Sequence, residues 1–524
     1  MRRIPRSTAV ILLVLVVSSA APGGQLDYRS WDEGVLVMVV QSIRYDEAKL
    51  YVIGESSTPG IYQLAMLISE DPEVEDSGTK NAVLFECGMH SREWFPAESC
   101  YWLIDHLLRN RRRADVRELL SHVDVWVIPQ TNPAGRDRDD LAHGDPTQFA
   151  YVCDVGASAG EACSTDADCP GGGCWKTGWR GNANTGSCEL GIDLARNFSA
   201  GWDMASSTCL AQKVCKGGGG YTTTPCSVDS DCSFGEACKN VRMHYRGPDP
   251  FSEPESLNLR RFVHNHMLSV VTIVHSNSQE LWHLWRPTNQ ASRHLTDQLL
   301  SINVAGSAGY APSPEMFIDP VGGGYGQFSA WLTSPSDVAG ELDLGTRRNI
   351  STFYFELPVM GSAYGSPYQH RAGDNSNSFH PSSDTVEDLF EDAIRDMYRY
   401  VIRQARSPGC PVDDAGRRDT AQCESDDFGL VGAKIADATD GPGLLEYDAN
   451  TREELLEHGT HEIVFAVQNF SASSSAAATS ATVTVTKNGG LDASYPMAIS
   501  QVGGARATYS VSHTFSMNAT YRVE

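Results

Sequence analysis

Basic residues are scarce in this chain. Lysine and arginine total 41 of 524 residues against 66 acidic ones, a formal charge of −25 with a pI near 5.0. Such a field repels phosphate backbones and anionic headgroups, so nucleic acid is not an expected partner. Long apolar runs are missing as well. None approaches the roughly 18 uninterrupted apolar positions that a membrane-spanning helix needs, which excludes a membrane span. Paired Cys-x2-Cys knuckles are absent, which weighs against a structural zinc cluster. What remains is 41% hydrophobic and 20% charged, near globular averages, and this excludes a fibrous or wholly disordered protein.

The N-terminus reads as an export signal. Met1-Arg2-Arg3 and Arg6 precede an apolar run from Ala9 to Val17, and Ser18-Ser19-Ala20 offers small residues for cleavage. Residues 1–20 are therefore expected to be a signal peptide, and the mature chain to be secreted, extracellular or periplasmic. Cysteine usage agrees with export. Ten of the 14 cysteines lie between Cys153 and Cys238, in Gly/Ser/Asp-rich insertions at about 153–188 and 209–240. Within them Cys163-Ser164-Thr165-Asp166-Ala167-Asp168-Cys169 is echoed by Cys226-Ser227-Val228-Asp229-Ser230-Asp231-Cys232. Such polar loops bury too little apolar area to order themselves, so disulfides are the expected fastening. Cys410 and Cys423 are expected to close a small loop. Cys87 and Cys100 read equally as a pair or as small buried hydrophobes.

Residues 26–406 alternate between strand-like and helix-like runs. Segments 82–85, 123–128, 270–274 and 352–355 are short, apolar and β-rich, while 97–109, 253–269 and 383–404 carry apolar residues at helical spacing. The expected fold class is α/β: a mixed, mostly parallel sheet with helices on both faces. Residues 407–423, rich in Pro, Gly, Asp and Arg, read as a linker. Residues 424–524 show alternating stretches such as Glu462-Ile463-Val464-Phe465-Ala466-Val467, with one helix candidate at 452–457, and suggest an accessory antiparallel β-sandwich. Its partner is unreadable. Nothing between residues 25 and 80 resembles a separate inhibitory pro-domain.

Where the strand ending at Phe85 meets a helix, the chain reads His90-Ser91-Arg92-Glu93-Trp94. A His and a Glu three apart in a turn or helix can point the same way and supply two of the three protein ligands of a catalytic zinc. Alone the pair is weak, since the chain has 15 histidines. Further landmarks follow in order. They are Thr131-Asn132-Pro133-Ala134-Gly135, Trp179-Arg180-Gly181-Asn182, Gly191-Ile192-Asp193-Leu194-Ala195-Arg196-Asn197-Phe198, Tyr245-Arg246-Gly247-Pro248 with Phe251-Ser252-Glu253-Pro254-Glu255, His275-Ser276 and Phe353-Tyr354-Phe355-Glu356-Leu357. Together they resemble the zinc metallocarboxypeptidases related to carboxypeptidase A, over residues 26–406.

The resemblance implies one Zn2+ per chain bound by His90, Glu93 and His275, and a peptide or protein substrate cut at its C-terminal bond. It implies that Glu356 is the general base toward a zinc-bound water and that Arg180 holds the developing oxyanion, with Lys176 as a rival. Arg92, Arg196 and Asn197 would line the substrate cleft, Arg196 gripping the terminal carboxylate. Tyr325, among glycines, is the candidate flap tyrosine, and Trp331 fits the spacing to Glu356. The 182 positions between Glu93 and His275 exceed the family habit, and the Cys-rich insertions account for the excess.

There are departures. Ala195 stands where the family commonly has Asn, which removes one donor to a C-terminal carboxylate, and Asn277 replaces an aromatic residue. The pocket-base residue cannot be aligned in segment 337–346. His264 and His266 read as surface histidines, and the 109–113 arginine cluster as a solvated helix end or a guide for carboxylate substrates. Glycosylation sequons occur at Asn197, Asn349, Asn469 and Asn518. Three readings follow: a secreted zinc exopeptidase, a zinc amidase acting on another peptide such as a cell-wall peptide, and an inactive binding or adhesion protein.

Overall fold

The computed structural model describes residues 2–3, 28–72, 80–143, 151–153, 174–176, 180–185, 191–205, 213–217, 220–226, 229–233, 237–240, 245–266, 268–276, 280–283, 311–312, 326–333, 351–357, 394–405, 428–437, 446–448, 453–455, 459–469, 481–487, 490–503, 506–515 and 521–523. The segment 407–423, the Cys410 and Cys423 pair, Tyr325 and much of the Cys-rich insertions lie outside these residues.

The first helix, α1 (Trp31–Arg44), begins where Ser30 and Glu33 form a reciprocal capping box. Strands β1 (Ala48–Glu55), β2 (Tyr62–Ile68) and β3 (Asn81–Cys87) follow. Then come α2 (Trp94–Arg109), α3 (Ala114–His122), β4 (Val123–Ile128) and α4 (Pro133–His143). The second half supplies α5 (Pro254–Asn265), β5 (Leu268–Ser276), β6 (Glu280–His283), β7 (Ala311–Pro312), α6 (Phe328–Thr333), β8 (Ser351–Leu357) and α7 (Arg395–Ala405).

One nine-stranded mixed sheet organises these elements, in the order Arg2–Arg3, β1, β2, β4, β3, β5, β8, β6, β7. Its centre, β4-β3-β5-β8, is parallel. Toward one edge β4-β2-β1 is antiparallel, and so is the β8-β6 pair toward the other. Side-chain alternation splits the core into two layers. Val83, Phe85, Val125, Val127, Val274 and Phe353 face the side covered by α1, α2, α3 and α7. Leu84, Trp126, Val271, Ile273 and Tyr354 face the side covered by α5, α6 and the 194–200 segment. Helices therefore lie on both faces. β5 is buried along its whole length, as befits a central parallel strand.

Several boundaries differ from the sequence reading. The helix expected over 253–269 stops at Asn265, and the apolar residues after it belong to β5. His266 is not a surface residue: it is buried, its ring against Trp126 and Phe262 at 4.3 and 4.4 Å between centroids. Cys87 and Cys100 form a buried disulfide, and no free cysteine occurs among the described residues.

In the C-terminal region six strands pair antiparallel, in the order Phe428–Asp437, Gly459–Asn469, Arg506–Phe515, Gly490–Gly503, Ala481–Lys487, Tyr521–Val523. The second packed layer of a sandwich is not established among the described residues. Glu453–Leu455 is a strand paired with Glu446–Asp448, rather than the helix expected at 452–457.

Candidate metal centre

Three adjacent parallel strands, β3, β5 and β8, end side by side, and open α/β sheets place ligands just beyond such carboxyl ends. After β3 the chain must turn sharply. Gly88 makes the turn in the left-handed region at φ 67°, where a Cβ would also meet Pro129 O at 2.9 Å. His90 and Glu93 follow, and α2 starts one residue later. Glu93 is the N-cap of α2 but makes no side-chain cap, because its carboxylate is directed elsewhere.

That carboxylate meets two imidazoles. Glu93 Oε1 lies 2.6 Å from His90 Nδ1, and Oε2 lies 2.8 Å from His275 Nδ1; the two Nδ1 atoms are 3.0 Å apart. Ser276 N donates to the same Oε2 at 3.3 Å. All three residues are at most 4% exposed. Burial alone would raise the Glu93 carboxyl, but the two facing imidazoles outweigh it and hold it well below the usual carboxylate range. Burial and the Arg180 charge lower His90.

Asp193 supports this cluster from behind. Its Oδ1 lies 3.2 Å from His90 Nε2 and its Oδ2 accepts from Arg180 Nε at 3.1 Å. Arg180 also brings Nη1 to 3.6 Å from Glu93 Oε1. Burial would lower the Arg180 guanidinium, yet Asp193 and Glu93 raise it above its ordinary value. Arg92, half-buried, is pushed down to about 10, first by burial and then by Arg180.

The other sequence landmarks hold this arrangement in place. Asn132 Nδ2 donates to Met89 O and Gly181 O at 3.2 and 3.0 Å, and its Oδ1 accepts from Gly135 N at 3.0 Å at the start of α4. Ser91 Oγ donates to Gly181 O at 3.2 Å. The Thr131 and Trp179 motifs are thus tied to the His90 turn through one amide.

His275, 182 positions after Glu93, is brought together with His90 and Glu93, with Arg180 beside them. Glu356 is adjacent by register: its backbone pairs with His275, and strand alternation puts position 356 on the same face as Tyr354 and His275. Arg196 is half-buried, its Nη1 donating to Ala195 O at 2.8 Å.

Asn197 is turned away from a substrate role. Its Nδ2 donates to Arg246 O, Asp249 O and Ser252 Oγ, and its Oδ1 accepts from Ser256 Oγ and Glu253 N. Fully buried and fully bonded, it fixes the 246–256 loop and is closed to glycosylation. Trp331 is packed among Phe198, Phe251 and Phe328, which removes it as a flap residue. The role of Asp193 is not legible from residue spacing; its place inside a landmark motif is the available signal.

Two imidazole nitrogens and a carboxylate oxygen, with mutual separations within 4.8 Å, form a donor set suited to zinc. The comparisons agree. The zinc carboxypeptidase family model (peptidase M14) matches residues 40–314, just over half of the sequence. The chain belongs to the zinc carboxypeptidase family.

Members of this family use zinc. Similar relatives include mast cell carboxypeptidase A of Mus musculus, 24% identical over 295 residues, covering 55% of this chain and 53% of the relative. Carboxypeptidase O of Homo sapiens is 29% identical over 176 residues, covering 32% and 38%. The chain thus spans about half or less of the length of these relatives. Among solved structures, carboxypeptidase A from Helicoverpa armigera aligns with a TM-score of 0.47 at 16% identity, covering 76% of this chain and 80% of that one. No described helix is long and apolar enough to cross a membrane.

Proposed function

We propose that this chain is a secreted zinc-dependent metallocarboxypeptidase that hydrolyses the C-terminal peptide bond of peptides and proteins. The observation that carries the reading is the buried convergence of His90, Glu93 and His275, beside Arg180 and one register step from Glu356. His90 and His275 would hold the ion through Nδ1, and Glu93 through its carboxylate. Zinc, when bound, supplies Lewis acidity toward a carbonyl and toward water.

The chain's own residues do the rest. Glu356 accepts a proton from water and passes it to the leaving amine nitrogen. Arg180, its charge reinforced by Asp193, stabilises the oxyanion that develops on the scissile carbonyl. Arg196 pairs with the terminal carboxylate and Arg92 adds positive charge to the cleft. Tyr325 would supply a hydroxyl from its glycine-rich segment. Asn197 takes no part in substrate binding.

Ala195 motivates a second reading, a zinc amidase acting on another peptide such as a cell-wall peptide, because one donor to a free carboxylate is absent. The test is hydrolysis of blocked dipeptides with free or amidated C-termini, with and without chelator, beside Glu356→Gln. Chelator-sensitive release from free C-termini only, reduced roughly 100-fold or more in the variant, is the expected result. One zinc bound but no release would favour the amidase. No zinc bound would sink both readings and leave an inactive binding protein.

A further inference from the structure

A metal-ligating imidazole is normally held in plane by a partner on its other ring nitrogen, most often a carboxylate or a carbonyl. His90 follows that rule through Asp193. His275 does not. Its Nε2 is buried and has no hydrogen-bond partner among the described residues. What His275 has is a ring. Tyr354 lies parallel to it, with centroids 4.7 Å apart and an interplanar angle of 5°. The His90 and His275 rings, by contrast, are tilted at 56°.

We propose that Tyr354 is a positioning residue for the metal site, doing for His275 by stacking what Asp193 does for His90 by hydrogen bonding. The proposal rests on the zinc reading above. Rotation about the Cβ–Cγ bond of a histidine is broad and weakly restrained. A parallel ring on one face makes that rotation a steric clash, so Nδ1 stays aimed at Glu93 and His90. Tyr354 can act as a wall because it is itself fixed: it is 6% exposed, packed in the core layer with Ile273, and paired in register with that residue on β5. A centroid separation of 4.7 Å between parallel rings implies offset stacking, a favoured aromatic geometry. The stack also strengthens when the imidazole is metal-bound, since its partial positive charge then meets the electron-rich face of a phenol.

The ring, not the hydroxyl, carries this role, and that separates it from a packing effect or a hydroxyl effect. Zinc affinity and dissociation rate are measured by competition with a chromophoric chelator for the parent, Tyr354→Phe, Tyr354→Leu and His275→Ala. Thermal melts establish that each variant is folded, and Tyr354→Met is the alternative apolar variant. Affinity should fall about tenfold in Tyr354→Leu, the low end for loss of an outer partner, and stay within about twofold in Tyr354→Phe. The visible spectrum of the Co2+-substituted protein should change with Leu and not with Phe. Unchanged zinc affinity in Tyr354→Leu, with only the melting temperature lowered, would overturn the proposal. Equal losses for Phe and Leu would overturn it too, by assigning the effect to the hydroxyl. A parent that binds no zinc, or His275→Ala binding as tightly as the parent, marks instead the failure of the zinc reading.

Discussion

Glu86 sits fully buried on β3, four residues before His90. Burial is the main cause that pushes it up to about 8 from 4.5, with Thr131 and His90 lowering it in part and Glu93 raising it. Between those values the folded chain keeps a proton that the unfolded chain has released. Stability is therefore unpenalised below about 4.5, falls as pH rises through the window, and levels off above about 8. For metal-stripped protein, Glu86→Gln should gain on the parent by roughly 1.4 kcal/mol per pH unit across this window, read from urea unfolding at pH 5 to 8. A difference that does not change with pH would refute the assignment. A bound dication beside His90 and Glu93 should shift the window downward. At this scale the sequence is only partly legible. His90 and Glu93 stand three apart, so local spacing can show them. His275, Asp193 and Tyr354 act on partners distant in the chain, through strand register or loop return, and only the resemblance points to His275.

The Cys87–Cys100 disulfide joins the end of β3 to α2, and the segment it closes contains both His90 and Glu93. A bridge over 13 positions stabilises a fold by roughly 2–4 kcal/mol, chiefly by restricting the unfolded chain. Cys87→Ala with Cys100→Ala should lower the unfolding free energy by about that amount. Amide exchange at residues 88–93 should rise more than in the rest of the core. Exchange that rises evenly through β3, β4 and β5 would show that the bridge stabilises the domain without bracing the ligand turn. Composition leaves this pair undecided because a buried thiol and a buried disulfide occupy the same apolar surroundings. The same ambiguity explains the over-long helix at 253–269. A helix that packs on a sheet and a central strand that follows it are both apolar, and periodicity alone does not mark the change at His266. By contrast 123–128 is legible with its observed limits, since α3 before it and a turn after it flank a short β-rich run whose only polar member is Asp124.

Across the whole molecule, charge is distributed unevenly. The helix α2 has 16 residues, so at about 1.5 Å of rise per residue the arginines at its far end stand about 24 Å from Glu93. Three of the four meet acids: Arg109 with Asp105, Arg111 with Glu47 and Arg113 with Asp115. They are therefore a paired helix end rather than a guide for carboxylates. The candidate metal centre has its own cations in Arg180 and Arg92, and the resemblance adds Arg196, within a chain whose net charge is −25. These two fields act at different ranges. On the proposed function these arginines would hold a substrate already bound, whereas the net charge governs its approach and is screened beyond about 8–10 Å at physiological salt. Two peptides sharing one C-terminal residue, one strongly cationic upstream and one strongly anionic, separate the effects. At low salt the cationic peptide should show the higher kcat/KM, and added salt should lower it while raising that of the anionic one, mainly through the association step. Equal salt responses would mean that the cleft arginines cancel the molecular field where substrates enter, and that upstream charge has no part in substrate choice.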